Sequence, residues 1–194
     1  MSLIETIQFE NVNVEKIKDW SDQICLLASK EDFISSSYIR EIDNFMYGGL
    51  IRILKSKEFD FLSNGESMLI PFPVGLNAKE LQIIKIENSN DILESRLAGG
   101  SITTLKTRGH ILIITSPKLN APQILYGFFL KVYEFNQHKT HSKKSFKAIT
   151  VAHLKFDFIK KEFNFFESLL KGVYFCRDLV NEPANILNTD EFAN

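Results

Sequence analysis

The sequence predicts an α/β domain: a mixed β-sheet flanked by helices on both faces, followed by a long connecting helix. Three observations carry that expectation. Hydrophobic periodicity alternates between two and 3.6 along the chain, His110-Ile111-Leu112-Ile113-Ile114 is an unbroken apolar strand of the kind buried on both faces, and an amphipathic stretch from about Asp157 to Val180 outlasts every other helical pattern. Strands that alternate with helices imply crossovers, and crossover helices lie on the faces of a sheet.

Composition agrees. The chain has 194 residues, is 44% hydrophobic and carries a net charge of −1, so it can bury a substantial core and falls outside the disordered range. Near-neutral charge supplies no overall attraction to nucleic acid or to an anionic membrane. Met1-Ser2-Leu3-Ile4-Glu5-Thr6 lacks the basic flank and apolar run of a leader, and no segment approaches about 20 uninterrupted apolar residues. A cytoplasmic location is the expectation. Cys25 and Cys176 stand in apolar surroundings without metal-type spacing and read as buried free thiols of a reducing compartment.

Taken in order, Leu3 to Val12 and Gln23 to Ala28 read as strands. The stripe Ile39, Ile42, Met46, Leu50, Ile53 predicts a helix from about Ser36 to Lys55, with Gly48-Gly49 inside it as a point of close packing. Met68-Leu69-Ile70 and Leu81 to Ile86 are strands, separated by Pro71-Phe72-Pro73-Val74-Gly75. Asp91 to Lys106 is a second helix containing Gly99-Gly100, and a third runs from about Ala121 to Phe135. A polar loop to Ser145 leads into a strand from Phe146 to Ala152. The long helix that follows has two apolar stripes, one of Ile159, Phe163, Phe166, Leu170 and Val173, the other of Phe158, Phe165, Leu169 and Cys176. So wide a face suits a helix that bridges two bodies, or one packed on its own sheet with part of its phenylalanine-rich surface left exposed.

The run Cys176-Arg177-Asp178-Leu179-Val180-Asn181-Glu182-Pro183-Ala184-Asn185-Ile186-Leu187-Asn188-Thr189-Asp190-Glu191-Phe192-Ala193 ends one helix and starts another. Pro183 has no N–H and pushes Glu182 out of the helical region, so the long helix should stop near Asn181. Asn188 is a good N-cap, with Asp190 and Glu191 favoured by the dipole of a first turn. Only about one turn remains, too short to hold alone, so Asn194 reads as a cut rather than a natural terminus.

That run resembles the junction segment of the leucyl aminopeptidase (cytosol aminopeptidase) family, R-D-L-V-N-E-P-A-N-x-L-T-P-x-x-F-A, departing from it where Asn188-Thr189 replaces Thr-Pro. Upstream, Tyr126-Gly127-Phe128-Phe129-Leu130-Lys131-Val132-Tyr133-Glu134-Phe135-Asn136-Gln137-His138-Lys139-Thr140 is similar to the family's G-x-x-L-x-x-Y-x-F-x-x-Y-K-T element, with His138 in place of Tyr. The likeness is sharp from Tyr126 to Ala193 and otherwise a matter of element order. It implies a macro-domain-like N-terminal accessory domain over residues 1–156, then a connecting helix and the first residues of a missing catalytic domain over 157–194. The parent would be a metal-dependent aminopeptidase that removes N-terminal amino acids with two divalent metal ions, manganese or zinc, assembled as a hexamer. The fragment itself would be inactive, its work being assembly and active-site access.

No catalytic, cofactor-binding or metal-ligating residue is assigned within the 194 residues. Asn188-Thr189-Asp190-Glu191 shares its first letters with the family's metal-binding N-T-D-A-E-G-R-L but lacks the rest, and helix capping explains Asn188 and Asp190. His138 and His141 have no cysteine or carboxylate beside them to complete a ligand shell. Lys139, Lys143, Lys144, Lys147, Lys160 and Lys161 form a modest basic stretch, which leaves a DNA-binding accessory domain as one alternative. A freestanding macro-type ADP-ribose-binding module is the other, on fold analogy alone. No G-x-S-x-G elbow, G-x-G-x-x-G or P-loop spacing occurs.

Overall fold

The computed structural model describes residues 7–29, 31, 36–87, 91–102, 109–135 and 148–183. Within them the strands are β1 (Ile7–Glu10), β2 (Gln23–Ala28), β3 (Ser67–Pro71), β4 (Glu80–Lys85), β5 (His110–Thr115) and β6 (Ala148–Ala152). They form a sheet in the order β1-β6-β5-β2-β4-β3, parallel throughout except for β3, which runs antiparallel to β4 at one edge. The helices are α1 (Val14–Asp19), α2 (Ser37–Phe45), α3 (Gly49–Leu54), α4 (Lys57–Asp60), α5 (Ile92–Ser101), α6 (Ala121–Val132) and α7 (Phe156–Asn181). The mixed, doubly covered sheet is the architecture that the alternating periodicity implied.

The period-two pattern of the central strands divides the core in two. Cys25, Leu27, Ile84, Ile111, Ile113, Ile149 and Val151 point to one face, where they meet Ala98 of α5, Ile124, Leu125, Phe128 and Phe129 of α6, and Ile159, Phe163 and Leu170 of α7. Ile24, Leu26, Leu81, Ile83, Leu112 and Ile114 point to the other, against Ile17 of α1, Ile39 and Ile42 of α2, Leu50 and Leu54 of α3 and Phe59 of α4. β5 lies between β2 and β6, and Ile111 to Ile114 are all buried, as its unbroken apolar run requires.

Gln82 and Lys85 are partnered in this core, whereas Thr115 Oγ1 and His153 Nε2 are buried without a hydrogen-bond partner. Gln82, wholly buried on β4, donates from Nε2 to Ser67 Oγ at 2.8 Å and to the Ser101 carbonyl at 3.1 Å, and its Oε1 faces Cys25 Sγ at 3.5 Å. Burial pushes the Cys25 thiol well above its usual pKa, so it is held as the inert thiol. Lys85 reaches the strand end to donate to the carbonyls of Asp60 and Leu62, and it pairs with Glu87 at 2.8 Å.

Several expectations need correction. The first strand stops at Glu10, not Val12, because the Asn11 side chain accepts from the Val12 N–H and Asn13 then caps α1 by accepting from Lys16 N–H. Its expected start at Leu3 lies outside the described residues. The single helix expected from Ser36 to Lys55 is two helices, with α4 following. Tyr47 and Gly48 adopt left-handed φ of 53° and 80°, the Gly48 N–H closes on the Asp43 carbonyl, and Asp43 Oδ1 accepts from Ile51 N–H at 2.8 Å. Gly48 therefore ends a helix instead of permitting close packing within one. The stripe survives the break, since Ile39, Ile42, Met46 and Leu50 are all buried. The second helix ends at Ser101, with 3₁₀ backbone at Ile102; residues 103–108, which include the rest of its expected span, lie outside the described residues, as do residues 146–147 of the last strand.

Cys176 is the remaining correction: it is exposed, not buried. The first stripe of α7 packs on the sheet, with Phe163 against Phe9 and Phe129. The second stripe, which holds Cys176, faces outward, with Phe158, Phe165 and Leu169 exposed by 58%, 69% and 42%. The helix runs to Asn181, and Glu182 before Pro183 is extended at φ −65° and ψ 135°, as the proline demands.

Candidate functional site

The two segments that carry the family resemblance meet in space. The first contributes α6 and Tyr133 just beyond it; the second contributes the last turns of α7. A helix end leaves four backbone carbonyls without intrahelical partners, and α7 supplies partners for two on α6. Arg177 Nη1 donates to the Leu130 carbonyl at 2.7 Å, and the Tyr174 hydroxyl donates to the Phe129 carbonyl. A guanidinium at the C-terminal end of a helix also opposes the negative end of its dipole.

Tyr133 closes the joint from the other side. Its hydroxyl donates to Asp178 Oδ1 at 2.8 Å and accepts from Asn181 Nδ2 at 3.3 Å, while Asn181 also donates to the Arg177 carbonyl. The Arg177 guanidinium lies 5.2 Å from the Tyr133 ring centroid, and the Tyr133 and Tyr174 rings are 5.2 Å apart. Partial burial and the Asp178 carboxylate hold the Tyr133 hydroxyl above the usual phenol range, and burial pushes Tyr174 up to about 12. Both are therefore neutral hydrogen-bond donors. Arg177, Asp178 and Asn181 of the junction motif thus lock the end of α7 to α6.

The upstream motif has a second physical role. A Cβ on Gly127 would run into the Arg96 backbone of α5, and a Cβ on Gly99 would run into the Ile124 carbonyl of α6. The two helices therefore touch backbone to backbone, each through a glycine. Tyr126 packs between the Arg96 guanidinium, 4.9 Å from its ring centroid, and Phe166 of α7, 5.2 Å from it.

Of the residues weighed from sequence, His138, His141, Lys139, Lys143, Lys144, Lys147, Asn188 and Asp190 lie outside the described residues. Lys160 and Lys161 are exposed on the first turns of α7. Among the described residues no group of three or more His, Cys, Asp or Glu is placed to hold a metal ion, and no helix is long and apolar enough to cross a membrane. What sequence reasoning missed is the pairing itself. Tyr174 and Arg96 carry no motif letter that marked them, and nothing in a linear pattern says that Tyr133 and Asp178 touch.

One further polar residue links α7 to the sheet. His153 is 1% exposed; its N–H donates to the Glu10 carbonyl, and its Nδ1 accepts from Lys155 N–H at 2.8 Å, where α7 begins. Burial, with Lys155 nearby, lowers its pKa below the usual 6.5. The neutral imidazole is the form that fits.

Proteins similar in sequence and proteins similar in structure point the same way. No family model matches the chain. The chain is 30% identical over 187 residues to a probable cytosol aminopeptidase of Cereibacter sphaeroides, covering 96% of this chain and 38% of that protein. It is 28% identical over 194 residues to a probable cytosol aminopeptidase of Dinoroseobacter shibae, covering 100% of this chain and 40% of that protein. Among solved structures, a tomato leucine aminopeptidase mutant superposes with a TM-score of 0.71 at 21% identity, over 97% of this chain and 40% of that one. The bottromycin maturation enzyme BotP in complex with Mn does so with a TM-score of 0.62 at 13% identity, over 90% and 35%. At these identities the structural matches speak to the fold. The chain spans about two fifths of the length of these curated relatives.

Proposed function

The chain belongs to the leucyl aminopeptidase (cytosol aminopeptidase) family, where it answers to the N-terminal domain, and from that premise we propose that it is the non-catalytic domain of a metal-dependent aminopeptidase. Its role is to hold the protein's assembly together and to shape access to a catalytic centre carried elsewhere in the parent. The parent removes N-terminal amino acids from peptides in the cytoplasm, using two divalent ions, manganese or zinc, and works as a hexamer.

The observation that carries this reading is the α6–α7 joint. Those residues of the resemblance that the structure describes serve to aim a 26-residue helix. At a rise of about 1.5 Å per residue such a helix extends close to 40 Å, more than its own sheet needs. A domain whose most family-like residues set the direction of its last helix is built to position whatever that helix leads to.

The test is enzymatic. The 194-residue chain, with manganese or zinc added, should release nothing from a chromogenic leucine amide, and the longer protein should turn it over and lose that activity to a chelator. Chelator-sensitive turnover by the 194-residue chain would sink the proposal.

A further inference from the structure

β3 is an outer strand of the sheet, and among the described residues nothing pairs with its free edge. The ladder to β4 decides which of its groups face out. Phe72 N–H donates to the Lys79 carbonyl and the Glu66 carbonyl accepts from Lys85 N–H. In the observed register, Ser67 opposite Ile84 through Pro71 opposite Glu80, the backbones of Glu66, Met68, Ile70 and Phe72 therefore bond inward. Those of Ser67, Leu69 and Pro71 point away from the sheet. β3 reads Ser-Met-Leu-Ile-Pro, without the charge that commonly guards such an edge. Leu69 is half exposed. Two aromatic side chains flank the strand. Phe72 has a left-handed φ of 48°, unfavourable for any residue with a Cβ, and is 77% exposed. In the pleat it belongs with Met68 and Ile70, which pack on the α1–α4 core, yet the backbone turns it out to solvent. Phe61, 85% exposed, stands at the other end, where Lys85 bonds the carbonyls of Asp60 and Leu62 on either side of it. Both neighbour elements of the same sheet face: Phe61 follows α4, and the loop after Phe72 runs onto α2, where a Cβ on Gly75 would strike the Phe45 carbonyl.

We propose that β3 pairs antiparallel with β3 of a second copy of this chain, about a twofold axis at Leu69, joining the two sheets edge to edge. The inference concerns the 194-residue chain alone and stands independently of the aminopeptidase reading. The edge is complementary to itself. Leu69 of each copy exchanges N–H and carbonyl with Leu69 of the other, and each Ser67 N–H donates to the other copy's Pro71 carbonyl. Pro71, which has no N–H to offer, is asked only to accept. No charge on the strand meets a like charge across the axis. Such an axis stands perpendicular to the sheet and keeps each face on its own side, so every contact occurs twice. It sets the two half-exposed Leu69 side chains against each other. At each end of the paired strands it also brings Phe61 of one copy and Phe72 of the other to the same side of the joined sheet. A second copy thus answers the free backbone groups, the exposed leucine and both aromatic side chains together.

One strand and two rings a side make a small contact, so a dissociation constant on the order of 100 µM is expected. Sedimentation of the 194-residue chain should then show the monomer falling from roughly 85% at about 10 µM to roughly 20% at about 1 mM. Amide exchange at the two concentrations identifies the surface. The N–H groups of Ser67 and Leu69 should exchange about fourfold slower at the higher one, while those of Met68 and Ile70, already bonded to β4, should not change. Leu69→Lys sets like charges face to face and should weaken pairing by about tenfold or more without moving the melting temperature of the dilute chain. Phe72→Gly relieves the left-handed backbone, so it should hold or raise that melting temperature while weakening the dimer by about tenfold. A chain that stays monomeric at about 1 mM overturns the inference. So does a dimer in which Ser67 and Leu69 exchange as fast as in the monomer. A dimer that Phe165→Lys dissociates and Leu69→Lys does not overturns it in favour of the outer face of α7.

Discussion

The two faces of the sheet are covered by different means. On one face α1 to α4, none longer than nine residues, are each held by a local device: Asn13 caps α1, Asp43 caps α3, Ser56 caps α4, and Gly48 breaks the chain between α2 and α3. On the other face α5, α6 and α7 hold one another, through Gly99 and Gly127 and through the Arg177, Tyr174 and Tyr133 bonds. The first arrangement is a cover of short helices that share one buried cluster, each bounded by its own local device. The second is a rigid joint, in which moving one helix moves the others. The family resemblance is sharp only on the second.

Truncations along α7 should break the comparison most visibly. Phe163→Ala removes a ring 2% exposed from the core and should cost about 3–5 kcal/mol in urea denaturation. Phe165→Ala, on the outer stripe, should stay within about 0.5 kcal/mol in the 194-residue chain. Glycine substitutions sharpen the contrast between faces. Gly127→Ala drives a methyl into the Arg96 backbone and should destabilise by roughly 3 kcal/mol. Gly49→Ala, whose Cβ would meet only the Met46 side chain at 3.8 Å, should be neutral or stabilising by up to about 1 kcal/mol. Comparable losses from both would mean that the short helices are coupled as tightly as the long ones.

Smaller effects probe the joint itself. Tyr133→Phe takes the donor from Asp178 and the acceptor from Asn181 and should cost about 1 kcal/mol. Hydrogen exchange should rise in the last turns of α7 while β5 stays protected.

The smallest effect is in pH. His153 has its folded pKa below the unfolded 6.5, so the unfolded chain takes up a proton first as pH falls. Stability is fully present above about 6.5, declines below it, and levels off once the folded imidazole also protonates. Asp22, held below the usual carboxylate range by Lys79, adds a loss only at more acid pH. His153→Gln should flatten the upper part of the profile and leave the acid limb; an unchanged upper limb would remove His153 from the account.

Local chemistry accounts for what was legible beforehand. β2 and β5 were readable because each is a short apolar run between turn signals, and the end of α7 because Pro183 permits no other reading. α1 was not readable: six residues give too little periodicity, and its signal was a single asparagine. The break at Tyr47-Gly48 was invisible because the apolar stripe continues across it, the tertiary core demanding the same side chains whether or not the helix is whole. Cys176 was placed inside because its neighbours are apolar, and composition cannot tell an inner stripe from an outer one.

The sequence by itself therefore determined the order of the strands, the mixed sheet and the end of the long helix, and it carried the family resemblance, since all of these follow from local stereochemistry or from motif letters. Tertiary structure alone decided that Tyr133 meets Asp178, that Gly99 and Gly127 let two backbones touch, and which stripe of α7 is buried. Those facts depend on contacts between residues far apart in the chain, and hydrophobicity marks a side chain as able to be buried without saying against what.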